Sequence, residues 1–181
     1  MAGEFFYAAD ELEQIAINLF YGWGYNFYKV ENQLRADDQM VRSKASWLLG
    51  VAATALSAAE SDYRRESLPP PTRAKPYPDA EAVASAQKLE RLHREITGLE
   101  QFIHQLPAPA NDRMTQRYRL EAQTLANLIH FDSLLVGQCE MMRKLVTDVD
   151  AEAILKALPD LMAGIAAIRA TLHDREAVLM N

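Results

Sequence analysis

The stretch Leu89-Glu-Arg-Leu92-His-Arg-Glu-Ile96-Thr-Gly-Leu99-Glu-Gln-Phe-Ile103-His-Gln-Leu106 decides the fold class of this chain. Its leucines and isoleucines recur at alternating intervals of three and four residues, which is the heptad spacing of an amphipathic α-helix. Most residues between them are charged or polar, so one face of this helix is predicted to be buried and the other solvated. Asp79 is placed to cap the start of the helix, and Pro107-Ala-Pro109 ends it.

Helical patterns extend over the rest of the 181 residues, and no run alternates in the way that a β-strand requires. We therefore expect an all-α fold, an elongated up-and-down bundle of about five helices in a single domain spanning residues 1–181. Residues 1–67 are expected to form an N-terminal helical hairpin, and residues 79–181 three further helices. Residues 68–78 hold five of the eight prolines and are predicted to be a Pro-rich linker.

The linker and the first helices leave alternatives open. An extended Pro-rich segment of this length can reach roughly 30 Å, so we expect a crossover that makes the helices on either side parallel. Residues 5–36 are predicted to be helical, in one piece or two. Asp37 is predicted to cap a second helix, although no glycine or proline marks a break there and one long helix also fits. The apolar residues of the second helix are Met40, Val41, Trp47, Leu48, Val51, Ala52, Ala55 and Leu56.

The fourth helix, predicted to start at Asn111 or Asp112, is apolar on nearly all sides, which is typical of a helix at the centre of a bundle. Asp150 is predicted to cap the last helix. Pro159 falls within the apolar seam of that helix, so it should kink the helix or begin a new one in its first turn.

Composition excludes several function classes. The net charge of −6 argues against a nucleic-acid-binding protein, which usually carries a basic face. The single cysteine, Cys139, allows no disulfide within the chain and predicts a cytoplasmic protein in a reducing compartment. Neither a signal peptide nor an apolar run long enough to span a membrane is expected.

The segment from Leu19 to Asn32 concentrates six aromatic residues between positions 20 and 29 and places Trp23 between two glycines. Each glycine costs a helix roughly 1 kcal/mol relative to alanine, so a close neighbour is expected beside Trp23. The alanine-rich part of the second helix, 52–59, is the first candidate for that neighbour. Three interpretations stay open: an innermost packing element, a surface for a second subunit or partner, and the lining of a small-molecule pocket.

Two carboxylates of the fourth helix, Glu121 and Asp132, fall on heptad positions among leucines. A buried carboxylate is unfavourable unless it is paired or faces a cavity. The first interpretation of these carboxylates is a buried salt bridge, or a position at the edge of a helix that is not a strict coiled coil. The second, which favours Asp132, is an acid in a pocket between the first and fourth helices. The candidate partners for the salt bridge are Arg35, Arg42 and Lys44. The candidate pocket residues are Trp23, Tyr25, Asn26, Tyr28 and Asp132.

The sequence predicts no catalytic residue, no metal site and no cofactor. Di-metal bundles need two Glu-x-x-His pairs, and this chain has one, Glu90 and His93, which falls outside the apolar seam. Cys139 stands on an apolar position and is predicted to be a buried, unreactive thiol. No nucleophile elbow or phosphate-binding loop is present.

Two hypotheses about function follow. The first is a non-enzymatic helical bundle that works by association, as an adaptor, an assembly factor or a homodimer. The alternative is a bundle, with or without enzymatic activity, that binds a small molecule or cofactor in the pocket between the aromatic-rich first helix and the central fourth helix.

Overall fold

The computed structural model describes residues 3–20, 34–106 and 122–180, and over these ranges the chain is helical without a strand. A 3₁₀ turn precedes six α-helices, which we number in chain order. The turn is Glu4–Tyr7, and the helices are α1 (Ala9–Phe20), α2 (Leu34–Ser67), α3 (Ala80–Gln105), α4 (Ala122–Val146), α5 (Ala151–Lys156) and α6 (Leu158–Met180). The predicted all-α bundle is confirmed. None of these helices is long and apolar enough to cross a membrane.

Helix α2 is continuous through the predicted break, so the expectation that Asp37 caps a new helix is wrong. Its 34 residues correspond to about 51 Å of helix. Asp38 does not stop the helix because its carboxylate accepts hydrogen bonds from Arg42, one turn further along the same helix. A carboxylate with such a partner can remain inside a helix instead of capping one.

Helices α2 and α3 form an antiparallel hairpin, so the expectation of parallel helices joined by a crossover is wrong. Near the linker, Arg64 of α2 contacts Glu90 of α3 at 3.0 Å. At the end of the hairpin away from the linker, the Ser46 hydroxyl donates to Glu100 at 2.7 Å. Residue numbers therefore fall along α2 as they rise along α3, and the two helices run in opposite directions. Backbone hydrogen bonds between Thr72 and Lys75 turn the linker locally, which shortens its reach.

The predicted seam of α3 is confirmed, since Leu89, Ile96 and Ile103 are fully buried. The Asp79 side chain caps α3 by accepting from the backbone N–H of Ala82. The predicted ends at 107–109 and 111–112 lie outside the described residues.

Helix α4 packs against α1, α2 and α6, as expected for a central helix. Asp150 caps α5 by accepting from the N–H of Ala153 at 2.7 Å. The helix then breaks at Ala157, and Pro159 lies in the first turn of α6, as predicted. Its missing N–H is not needed at that position.

The N-terminal segment approaches α4 and α6 closely at two glycines. A Cβ atom added to Gly137 of α4 would lie 2.6 Å from the carbonyl oxygen of Leu12. A Cβ atom added to Gly164 of α6 would lie 2.5 Å from the Phe6 ring. The buried Gln138 side chain also donates to the Phe6 carbonyl at 3.1 Å. These glycines therefore allow residues 3–20 to pack against the centre of the bundle.

Candidate functional site

Four of the five predicted pocket residues, Trp23, Tyr25, Asn26 and Tyr28, lie outside the described residues. The pocket between the first and fourth helices therefore stays a prediction. The fifth residue, Asp132, is described and is 1% exposed on α4. Glu121 also lies outside the described residues.

Asp132 belongs to a buried chain of charged side chains that connects three helices. The Arg175 guanidinium of α6 donates from Nε to Asp132 and from Nη2 to Asp38 of α2, both at 2.5 Å. Asp38 also accepts from Arg42, with its second oxygen 2.8 Å from Arg42 Nη2. Arg42 in turn donates to the carbonyl of Leu106 at the end of α3. The chain alternates in charge, so each carboxylate has a cationic neighbour.

The salt-bridge interpretation of Asp132 is thus the one that the structure supports. The partner seen among the described residues is Arg175, which was not one of the predicted candidates, and the carboxylate that Arg42 contacts is Asp38. Arg175 follows Leu172 by three residues, so it continues the apolar seam of the last helix. A cation on a seam position was the sequence signal for this pair, in the same way that an acid on a seam position marked Asp132.

A second group of charges lies between α2 and α4 and includes Lys44. Arg143 donates from two nitrogens to Glu140, at 2.7 and 2.8 Å, and Glu140 is buried. The Lys44 ammonium lies 4.5 Å from the ring centroid of Trp47. Burial lowers the pKa of Lys44 below its usual value, Glu140 opposes that shift, and Arg143 adds to it. The Lys44 ammonium therefore lies against the indole ring and within the electrostatic influence of Glu140 and Arg143.

Trp47, one of the apolar residues in the pattern of the second helix, is 56% exposed. It lines a groove of about 760 Å³ between α2 and α3, together with Gly50 and Thr54. Glu100 and His104 of α3 form the opposite edge of the groove. The groove therefore places one large aromatic ring beside small residues of the same helix.

The exposed face of α2 carries no charge over five helical turns. The exposed residues from 43 to 61 are all uncharged, and with Gly50 they repeat at heptad intervals. They are Ser43, Trp47, Thr54, Ser57, Ala58 and Ser61. The exposed face of α3 instead carries Lys88, Arg91 and Arg94, as is usual for a solvated helix. We call the residues Ser43, Trp47, Gly50, Thr54, Ser57 and Ser61 the α2 face.

Gly50 lies in the middle of the α2 face without a structural need for glycine. A Cβ atom added there would meet nothing within 4 Å. Glycine in a helix interior costs about 1 kcal/mol relative to alanine, and no contact of the described residues accounts for that cost. The close approach that the sequence predicts at Gly22 and Gly24 lies outside the described residues, and among the described glycines close packing occurs at Gly137.

Metal and thiol chemistry find little support in the described part of the chain. No group of three or more His, Cys, Asp or Glu side chains there is arranged to hold a metal ion. His93 lies near Thr97, with 3.5 Å between Nε2 and the hydroxyl, and Glu90 pairs with Arg64 instead. Cys139 is fully buried, and burial raises the pKa of its thiol, as predicted for an unreactive cysteine.

The chain matches no known protein family, no curated protein and no solved structure. Its class is therefore defined by the fold described above, an all-helical bundle with a buried ionic chain at its centre and an uncharged helix face on its outside.

Proposed function

We propose that this protein acts through association, with the α2 face as the surface that another protein chain covers. The observation that carries the proposal is the absence of charge on the exposed residues of α2 from 43 to 61, about 27 Å of helix. An ordinary solvated helix face carries lysine, arginine and glutamate, as α3 does. An uncharged face with small side chains permits the close approach of a second helix. It makes fewer favourable interactions with water than a charged face does.

Trp47 supports a protein partner in particular. Tryptophan is among the residues that contribute most to binding energy at protein interfaces, where its ring fills a pocket in the partner. Here the ring is more than half exposed and has small neighbours along the helix. The Lys44 ammonium lies 4.5 Å from the centroid of the ring, a cation–π contact that favours this orientation of the indole.

Site-specific photo-crosslinking tests the proposal. A photoreactive amino acid at Thr54, on the α2 face, is compared with the same group at Lys88, which is exposed on α3. In extracts of the source cells, we expect discrete covalent adducts from position 54 and only diffuse labelling from position 88.

Equal labelling from both positions would contradict the proposal, since the α2 face would then attract no partner. The mass of each adduct shows whether the partner is a second copy of the chain or a different protein.

The alternative function, a bundle that binds a small molecule or cofactor near Trp23 and Asp132, stays a prediction. Native mass spectrometry and an absorption spectrum of the purified protein test it, because a retained ligand would add mass or colour.

A further inference from the structure

We propose that the α2 face binds a second copy of this chain, with the two α2 helices packed antiparallel about a two-fold axis between Trp47 and Gly50. The inference rests on the proposed function and deepens it by naming the partner. It starts from the order of side-chain sizes along the face, in which the largest residue lies three positions before the smallest.

An antiparallel pair centred between these two positions is complementary in size. Trp47 of each copy lies opposite Gly50 of the other, so each indole enters the space that the missing side chain leaves open. Ser43 of each copy lies opposite Thr54 of the other. Such knob-into-hole packing at heptad positions is how two helices fit closely. Because the contact is isologous, every favourable pair occurs twice.

Charge favours a second copy over a strongly charged partner. The chain carries a net charge of −6, so two copies repel each other through most of their surfaces. In this register residues 43–54 of each copy face each other, and the exposed residues of that range are uncharged, so the contact itself adds no repulsion. These residues offer no opposite charge to a basic or acidic partner, and Glu100 at the edge of the groove already accepts a hydrogen bond from Ser46. A copy of the same uncharged face is therefore the occupant that fits.

The proposed pairing also explains why Gly50 is glycine. Nothing within the single chain lies within 4 Å of an added Cβ atom at this position. In the antiparallel pair that space holds the indole of the second copy. Gly98 on α3 has equally open surroundings but lies on another helix, so it provides a matched control.

Sedimentation equilibrium of the full chain tests the pairing. We expect wild-type protein at twice its 20.4 kDa mass. Trp47→Ala and Gly50→Leu should each weaken the dimer by about tenfold or more, because one removes the knob and the other fills the hole. Gly98→Leu should leave the dimer unchanged. Circular dichroism establishes that each variant is folded.

Disulfide trapping tests the register. Cys139 is the only natural cysteine and is buried, so introduced thiols report without interference. The double variant Ser43→Cys with Thr54→Cys should form crosslinked dimers under mild oxidation. Either single variant should not, because its two equivalent thiols would lie about 16 Å apart along the helices.

A wild-type chain that stays monomeric up to its solubility limit would overturn the inference. Adducts of a different protein at position 54 in that case would leave the proposed function intact, whereas no adducts would remove both. A dimer that is unaffected by Trp47→Ala and Gly50→Leu would also overturn the inference, since association would then use another surface.

Discussion

Arg175 donates to Asp38 at 2.5 Å, although 137 residues separate them in the chain. The same guanidinium reaches Asp132, so one cation joins α6 to both α2 and α4. All three side chains are almost completely buried. Buried carboxylates of this kind are tolerated only while their cation remains, because the protein interior solvates charge poorly. The ionic chain therefore fixes which helices meet more than it adds to their stability.

Replacing Arg175 with methionine should destabilise the fold strongly. The change leaves Asp132 without its Arg175 partner and removes one of the two partners of Asp38, an effect of about 3–5 kcal/mol for buried pairs. Urea unfolding followed by circular dichroism measures it. Arg169→Met is the control, because Arg169 is largely exposed and pairs with Glu95 at the surface. We expect about 0–1 kcal/mol there, and equal losses in both variants would contradict a structural role for the buried chain.

Alanine substitution should have opposite effects at two glycines. Gly137→Ala places a Cβ atom 2.6 Å from the Leu12 carbonyl oxygen and should destabilise the protein by about 1–3 kcal/mol through overpacking. Gly98→Ala meets nothing within 4 Å and should stabilise it by about 0.5–1 kcal/mol, because alanine favours helix. Thermal unfolding compares the two. A neutral or stabilising Gly137→Ala would show that α1 does not pack against α4 at this point.

Stability should depend on pH through Lys44. Burial lowers its pKa from 10.5 in the folded chain, so the unfolded chain binds more protons between the lowered pKa and 10.5. Stability relative to a Lys44→Met variant should therefore rise with pH across that window. Urea unfolding at neutral pH and near pH 10 measures the difference. A difference that stays flat between the two pH values would contradict the prediction.

Cys139 should be unreactive in the folded protein. Burial raises the pKa of its thiol, so little thiolate forms near neutral pH, and the side chain has no exposure to reagents. A chromogenic disulfide reagent should modify it at least about a hundredfold more slowly in buffer than in urea. Rapid modification without denaturant would mean that α4 opens readily.

Local sequence signals predicted local features well. The heptad leucines of α3, the caps at Asp79 and Asp150, and the restart at Pro159 each depend on residues a few positions apart. The failures concern contacts that depend on how the helices pack. Asp38 stays within a helix and accepts from Arg42 one turn away and from the distant Arg175, and the contact between Ser46 and Glu100 shows that α3 runs back along α2. The sequence of α2 alone does not predict which residues of the other helices it will contact.

The candidate site was harder to predict for the same reason. Trp47 belongs to the apolar pattern of the second helix, yet α2 buries the residues on either side of it and leaves its ring exposed. The useful signal was the missing charge on its face. That signal becomes visible only when the solvated side of the helix is known.

The contact between Leu12 and Gly137 constrains the order in which this protein folds during its synthesis. At about 5–20 residues per second, a ribosome needs about 6–25 s to add the residues that separate the two. The α2–α3 hairpin is complete well before then, whereas the first helix must wait with its apolar side uncovered. We therefore expect a chaperone to bind α1 early, before α4 has been synthesised.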